Sequence, residues 1–89
     1  MDKSVLEDTL SQHCFDVFIE VRDELRRARL HHAKLHSAHE GYSVILEEVD
    51  ELWEEVKQHR TLEHLAAMRK EAIQVAAMAI AFVVEVIDV

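Results

Sequence analysis

The stretch Ala72-Ile73-Gln74-Val75-Ala76-Ala77-Met78-Ala79-Ile80-Ala81-Phe82-Val83-Val84 carries one polar side chain, Gln74, and is apolar on nearly every side when wound as a helix. A helix without a polar face has to be surrounded by other elements rather than laid on a surface. The run is also shorter than the roughly 20 apolar residues a membrane span needs, so it predicts a buried helix and no membrane among the partners. Alanines at 72, 76, 77, 79 and 81 would let neighbouring helices approach closely. The rest of an 89-residue chain can barely enclose such a helix. A second subunit is therefore expected to complete a four-helix or larger bundle.

Upstream, the periodicity lapses at Gln58-His59-Arg60-Thr61. Thr61 is a predicted N-cap, with Glu63 favourably placed in the first turn that follows. Before the lapse, Tyr42, Ile45/Leu46, Val49, Leu52/Trp53 and Val56 form the stripe of a second helix. Its start is marked by Ser37-Ala38-His39-Glu40, in which Ser37 can cap the Glu40 amide while the Glu40 side chain reaches back to Ser37. From Val5 to about Lys34, Leu6, Leu10, Cys14, Val17/Phe18, Val21, Leu25 and Ala28 repeat at three-and-four spacing, and Phe15 and Ile19 widen that stripe. The expected fold is all-α: a single domain over 1–89, an antiparallel bundle of about three helices completed by oligomerisation. The lack of proline and the single glycine, Gly41, argue against linkers and turn-rich β architecture. At this length a single core buries only about 60% of the unfolded surface, which again favours partner chains.

The net charge of −8, from 18 acidic and 10 basic residues, disfavours duplex nucleic acid and anionic membranes as partners. Arg22, Arg26, Arg27, Arg29 and Lys34 cluster on the first helix with Glu20, Asp23 and Glu24 mixed among them, which fits a solvated mixed-charge face first and a phosphate-binding face second. Cys14 is the only cysteine, so neither an intramolecular disulfide nor a cysteine zinc site is available. With a start, Met1-Asp2-Lys3-Ser4, that lacks an apolar signal core, this predicts a cytoplasmic home. His31, His32, His36 and His39 gather at the first junction. His32 and His36 are four apart, yet the first helix is expected to end before His36, which leaves them as polar junction residues. Trp53, Tyr42, Phe15, Phe18, Phe82, Met68 and Met78 read as packing residues. With one glycine there is no glycine-rich phosphate loop.

The second helix carries Glu47, Glu48, Asp50, Glu51, Glu54 and Glu55, six carboxylates in nine positions. Glu48 and Glu51 are three apart, as are Glu71 and Gln74 on the third helix, so each pair projects to one face. In an antiparallel hairpin centred near residue 59.5, Glu48 and Glu71 sit at the same level. Glu51 and Gln74 then lie roughly 4.5 Å along the axis on opposite sides of it. Crowded carboxylates repel one another and raise each other's pKa, a cost that a divalent cation removes. An oxygen-only set suits Mg²⁺, Mn²⁺ or Ca²⁺ rather than Zn²⁺.

Glu47-Glu48-Val49-Asp50-Glu51 followed by Glu71-Ala72-Ile73-Gln74 resembles the EExxE…ExxD signature of MazG-type all-α nucleotide pyrophosphohydrolases. The stretches around His36–Tyr42 and Lys70–Ala79 also resemble small MazG-like proteins of phages and bacteria. The resemblance implies an enzyme that uses Mg²⁺, with Mn²⁺ as a substitute, to cleave a nucleoside triphosphate into monophosphate and pyrophosphate, working as a dimer or tetramer. It implies metal ligation by Glu48, Glu51, Glu71 and the residue at 74, with Glu47 and Glu48 as the catalytic pair and Glu47 a further ligand or positioning the attacking water. Gln74 stands where the family has Asp; its amide oxygen can ligate but adds no charge and cannot act as a base. His39, in the first turn of the second helix, and Arg22 and Arg26 are the candidates to contact substrate. Two alternatives accompany this expectation. One is a non-catalytic MazG-like helical oligomer that binds nucleotide or a protein partner, its turnover lost through Gln74; the other is an unrelated acidic helical adaptor.

Overall fold

A computed structural model describes residues 3–89, with side chains from residue 8 onward; Val5, Leu6 and the Met1–Ser4 start fall outside the described side chains. The chain forms three α-helices, α1 (Lys3–His31), α2 (Ala38–Val56) and α3 (Leu62–Phe82), closed by a π-helical turn over Val83–Ile87. There is no strand among the described residues, and no helix there is long and apolar enough to cross a membrane.

Local chemistry sets the boundaries. Ser37 Oγ accepts from the Glu40 amide at 3.1 Å and Thr61 Oγ1 from the His64 amide at 3.1 Å, each satisfying a backbone donor that a helix start leaves unpaired. The Glu40 carboxylate accepts from the His36 amide at 3.3 Å instead of reaching Ser37. The His36 ring, with Nδ1 at 3.6 Å from Glu40, holds it one residue further back than a capping box would. α1 stops at His31, earlier than the expected Lys34, because the connection turns Leu35 into the core.

α3 is the central element and packs against both α2 and α1, whereas α1 and α2 make no comparable contact with each other. The core is Val21 and Ala28 from α1, Leu35 from the connection, and Ala77, Met78 and Ala81 from α3. Ala77 and Ala81 have no accessible surface, the close approach that small residues four apart allow. The other side of the apolar run remains open: Ile80, Val83 and Val84 are each about half exposed. Enclosure on all sides, expected from the apolar run, is therefore met on one side only by the chain itself.

The third helix was expected to continue to the C-terminus. Instead its last turn widens, with the Asp88 amide donating to Val83 O at 2.8 Å across five residues. The wide turn brings Glu85, whose side chain is 8% exposed, onto the Arg29 guanidinium and lets it accept from the Leu35 amide at 3.0 Å. Arg29 holds the Glu85 carboxyl below the usual carboxylate range. At the opposite end of the α1–α3 pair, Arg69 Nη1 donates to Glu20 Oε1 at 2.8 Å.

Gly41 is buried where the first turn of α2 crosses the end of α3. A Cβ there would sit 2.5 Å from Phe82 Cδ2 and 2.9 Å from Cε2. Gly41→Ala gains up to about 1 kcal/mol of helix propensity but displaces the Phe82 ring, an overpacking cost of about 1–3 kcal/mol. The expected net effect is a melting temperature several degrees lower, recovered when Phe82→Leu is added. A rise on Gly41→Ala alone would show that Phe82 does not need the gap.

Candidate functional site

α2 and α3 are antiparallel partners joined by a five-residue turn, 57–61, centred at residue 59. That register brings Glu48, Glu51 and Glu71 together, with one oxygen of each lying within 4.8 Å of the others. Glu48 and Glu71 are half-buried and Glu51 is exposed. With its amide nitrogen turned toward the carboxylates, the orientation that satisfies both of its ends, Gln74 donates to Glu71 Oε2 at 2.8 Å and Glu48 Oε2 at 2.9 Å. Gln74 is thus a bridge between two carboxylates. To ligate a cation through oxygen it has to turn its amide over.

Burial, followed by the negative charge of Glu51 and Glu71, pushes the Glu48 carboxyl up from 4.5 to about 7. Burial and then Glu51 raise Glu71 as well, against a small opposing pull from Lys70. The donor set fits a hard divalent cation.

Beside the cluster runs a groove of about 360 Å³ between α1 and α2. Glu40, Glu47, Glu48 and Gln74 line its α2–α3 side, Glu24, Arg27, Arg29 and His32 the side of α1, and Ala28, Leu35, Val44 and Met78 are its apolar lining. Arg27 is held by Glu24 through contacts of 2.6 and 3.0 Å, and this pairing keeps the Glu24 carboxyl below its usual range. Arg29 is engaged by Glu85.

Several candidate substrate contacts lie elsewhere. Arg22 and Arg26 line a shallow apolar hollow with Leu25, Leu30 and Glu85, and both face Asp23, at 3.2 and 4.0 Å. His39 borders a separate hollow with Ala38, Tyr42 and Phe82. The reason is helical phase. Ala28 is on the inward stripe of α1, so its neighbours Arg27 and His32 turn toward the groove while Arg22 and Arg26 turn away. Around the helix from Ala28, His32 lies about 40° away, His31 about 60° and Arg27 and Arg29 about 100° each, so phase would have picked out His32 from the sequence but not Arg27.

No family model, curated protein or solved structure matches the chain.

The raised carboxyls make a pH prediction. Glu48 titrates near 7 in the fold against 4.5 ordinarily, so the fold favours its protonated form. That contribution to stability is complete below about pH 4.5 and is lost as pH rises through about 7. In chelator-treated protein, thermal stability is expected to fall across this window, and Glu48→Gln is expected to flatten the fall. An unchanged slope in Glu48→Gln would show that Glu48 is not the group responsible.

Proposed function

We propose that the chain is a MazG-like, Mg²⁺-dependent nucleoside triphosphate pyrophosphohydrolase, with Mn²⁺ as a substitute ion. The observation that carries this reading is the convergence of Glu48, Glu51 and Glu71 within 4.8 Å, at the edge of a groove that Arg27 and His32 also line. A cation on the carboxylates, with Arg27 released from Glu24, would account for how a chain of charge −8 accommodates an anionic substrate.

When bound, Mg²⁺ supplies charge neutralisation and polarises the reacting phosphate. Glu48, Glu51 and Glu71 hold the ion, and Gln74 adds a ligand when its amide turns. Glu47, on the acidic side of the groove, orients the attacking water toward the α-phosphorus. Arg27 and His32 steady the phosphate tail, Arg27 exchanging its exposed contact with Glu24 for the substrate. The apolar lining from Leu35, Val44 and Met78 covers the base or sugar. This reading includes assembly as a dimer or tetramer and action in the cytoplasm, where a lone Cys14 stays reduced.

One observation favours a second reading. Gln74 already satisfies Glu48 and Glu71 by donating to both, as a metal-free structural bridge does. A MazG-like oligomer that binds nucleotide or a protein partner without turnover fits that role.

Pyrophosphate release from a panel of canonical and modified nucleoside triphosphates, with Mg²⁺ or Mn²⁺, separates the two. Release that Glu48→Gln lowers by roughly 100-fold or more supports the enzyme. No release across the panel overturns it. Metal binding without turnover, with release appearing in Gln74→Asp, supports the second reading and locates the defect at Gln74.

A further inference from the structure

Gln74 stands between the carboxylate cluster and an arginine of the groove. Its amide nitrogen donates to Glu71 Oε2 at 2.8 Å and to Glu48 Oε2 at 2.9 Å. On the side toward α1 the same side chain is a hydrogen-bonding neighbour of Glu24, and Glu24, Arg27, Glu48 and Gln74 line one groove. The Arg27 fork occupies both Glu24 oxygens, Nη2 on Oε1 at 2.6 Å and Nε on Oε2 at 3.0 Å.

A planar amide carries its oxygen and its NH₂ at opposite corners, so one orientation cannot donate to both neighbours. With the nitrogen on Glu48 and Glu71, the oxygen is left on the Glu24 side. With the oxygen turned to a cation at the cluster, the NH₂ takes that side instead and competes with Arg27 for a Glu24 oxygen. Charge acts in the same direction. The negative charge of Glu48 reaches Arg27 as well as Gln74, and a bound cation cancels that attraction.

The Arg27–Glu24 pair is built to exchange. The Arg27 side chain is 54% exposed, and exposed pairs of this kind are weakly held. Arg29, the other arginine at the groove, is fixed on the buried Glu85 carboxylate and stays there.

We infer that Gln74 is a positioning residue that couples the cluster to Arg27: as its amide oxygen turns onto a divalent cation, its nitrogen passes to Glu24, opens the fork and frees the Arg27 guanidinium for a phosphate in the groove. This rests on the metal site in the function proposed above and adds an order to it, cation before anion. A polyphosphate arriving at the metal-free protein meets an arginine already neutralised by Glu24. Because such coupling is reciprocal, an anion on Arg27 also tightens the cation.

The test follows the Arg27 Nε resonance in nitrogen-15 spectra of the full chain, assigned by its loss in Arg27→Lys, as Mg²⁺ alone is added and its binding is measured by calorimetry. Glu24→Gln, in which the fork has lost its charged partner, supplies the released position. In the wild type Mg²⁺ is expected to move the resonance most of the way to that position. In Gln74→Met, which keeps the side-chain length without the amide, Mg²⁺ is expected to bind through the three glutamates while Arg27 stays in place; Gln74→Leu gives the same comparison with a second side chain. Binding of Mg²⁺ without movement of Arg27 in the wild type overturns the coupling and leaves the metal site standing. Equal movement in wild type and in the Gln74 variants shows that charge alone carries the effect and overturns the role of Gln74. No Mg²⁺ binding overturns the metal site, and the coupling with it.

Discussion

The antiparallel pairing of α2 and α3 about the turn at 57–61 is the constraint on which the rest of this molecule depends. It brings Glu48 and Glu71 to one level beside Glu51, in a half-buried site. Burial and the neighbouring carboxylates push the Glu48 carboxyl up toward about 7 and raise Glu71 as well, while Gln74, donating to both, opposes that rise by stabilising their charged forms. Two carboxylates drawn from the same helix could move apart by changing rotamer. Two held on separate helices by the packing of Ala77, Met78 and Ala81 are confined. The free-energy cost of that confinement is what a hard cation would relieve.

The fold is economical elsewhere. Small residues on α3 let α1 approach, Gly41 lets α2 approach Phe82, and the buried Glu85 carboxylate ties α1, the first connection and the C-terminal turn together. Since α1 and α2 do not pack together, they leave a groove between them on one side and bare apolar faces outside. A polar groove lined by opposite charges and exposed apolar faces are therefore two consequences of one open arrangement.

Much of this was legible in the sequence, for identifiable reasons. Three helices follow from stripes at three-and-four spacing interrupted at Ser37 and Thr61, both of which cap as their side-chain chemistry dictates. The approach of Glu48 to Glu71 follows from counting residues on either side of the turn, because helix rise is constant. The candidate substrate contacts were less accessible: Arg22, Arg26 and His39 were selected by charge and proximity in sequence, while their positions depend on how each helix is turned relative to its packed face. The π-helical turn leaves no mark in an apolar run, since it is set by Glu85 reaching Arg29 and the Leu35 amide, partners more than forty residues away. Gln74 was weighed as a ligand in place of Asp; its donation to both neighbouring carboxylates required their positions.

The most direct measurement of the central claim is a carbon-13 titration of the Glu48 side-chain carboxyl in metal-free protein, repeated in Glu71→Gln and with Mg²⁺. Burial together with the charges of Glu51 and Glu71 predicts a midpoint raised above 4.5 that falls in Glu71→Gln and falls further with the cation bound. A midpoint near the ordinary 4.5, or one indifferent to Glu71, would contradict it.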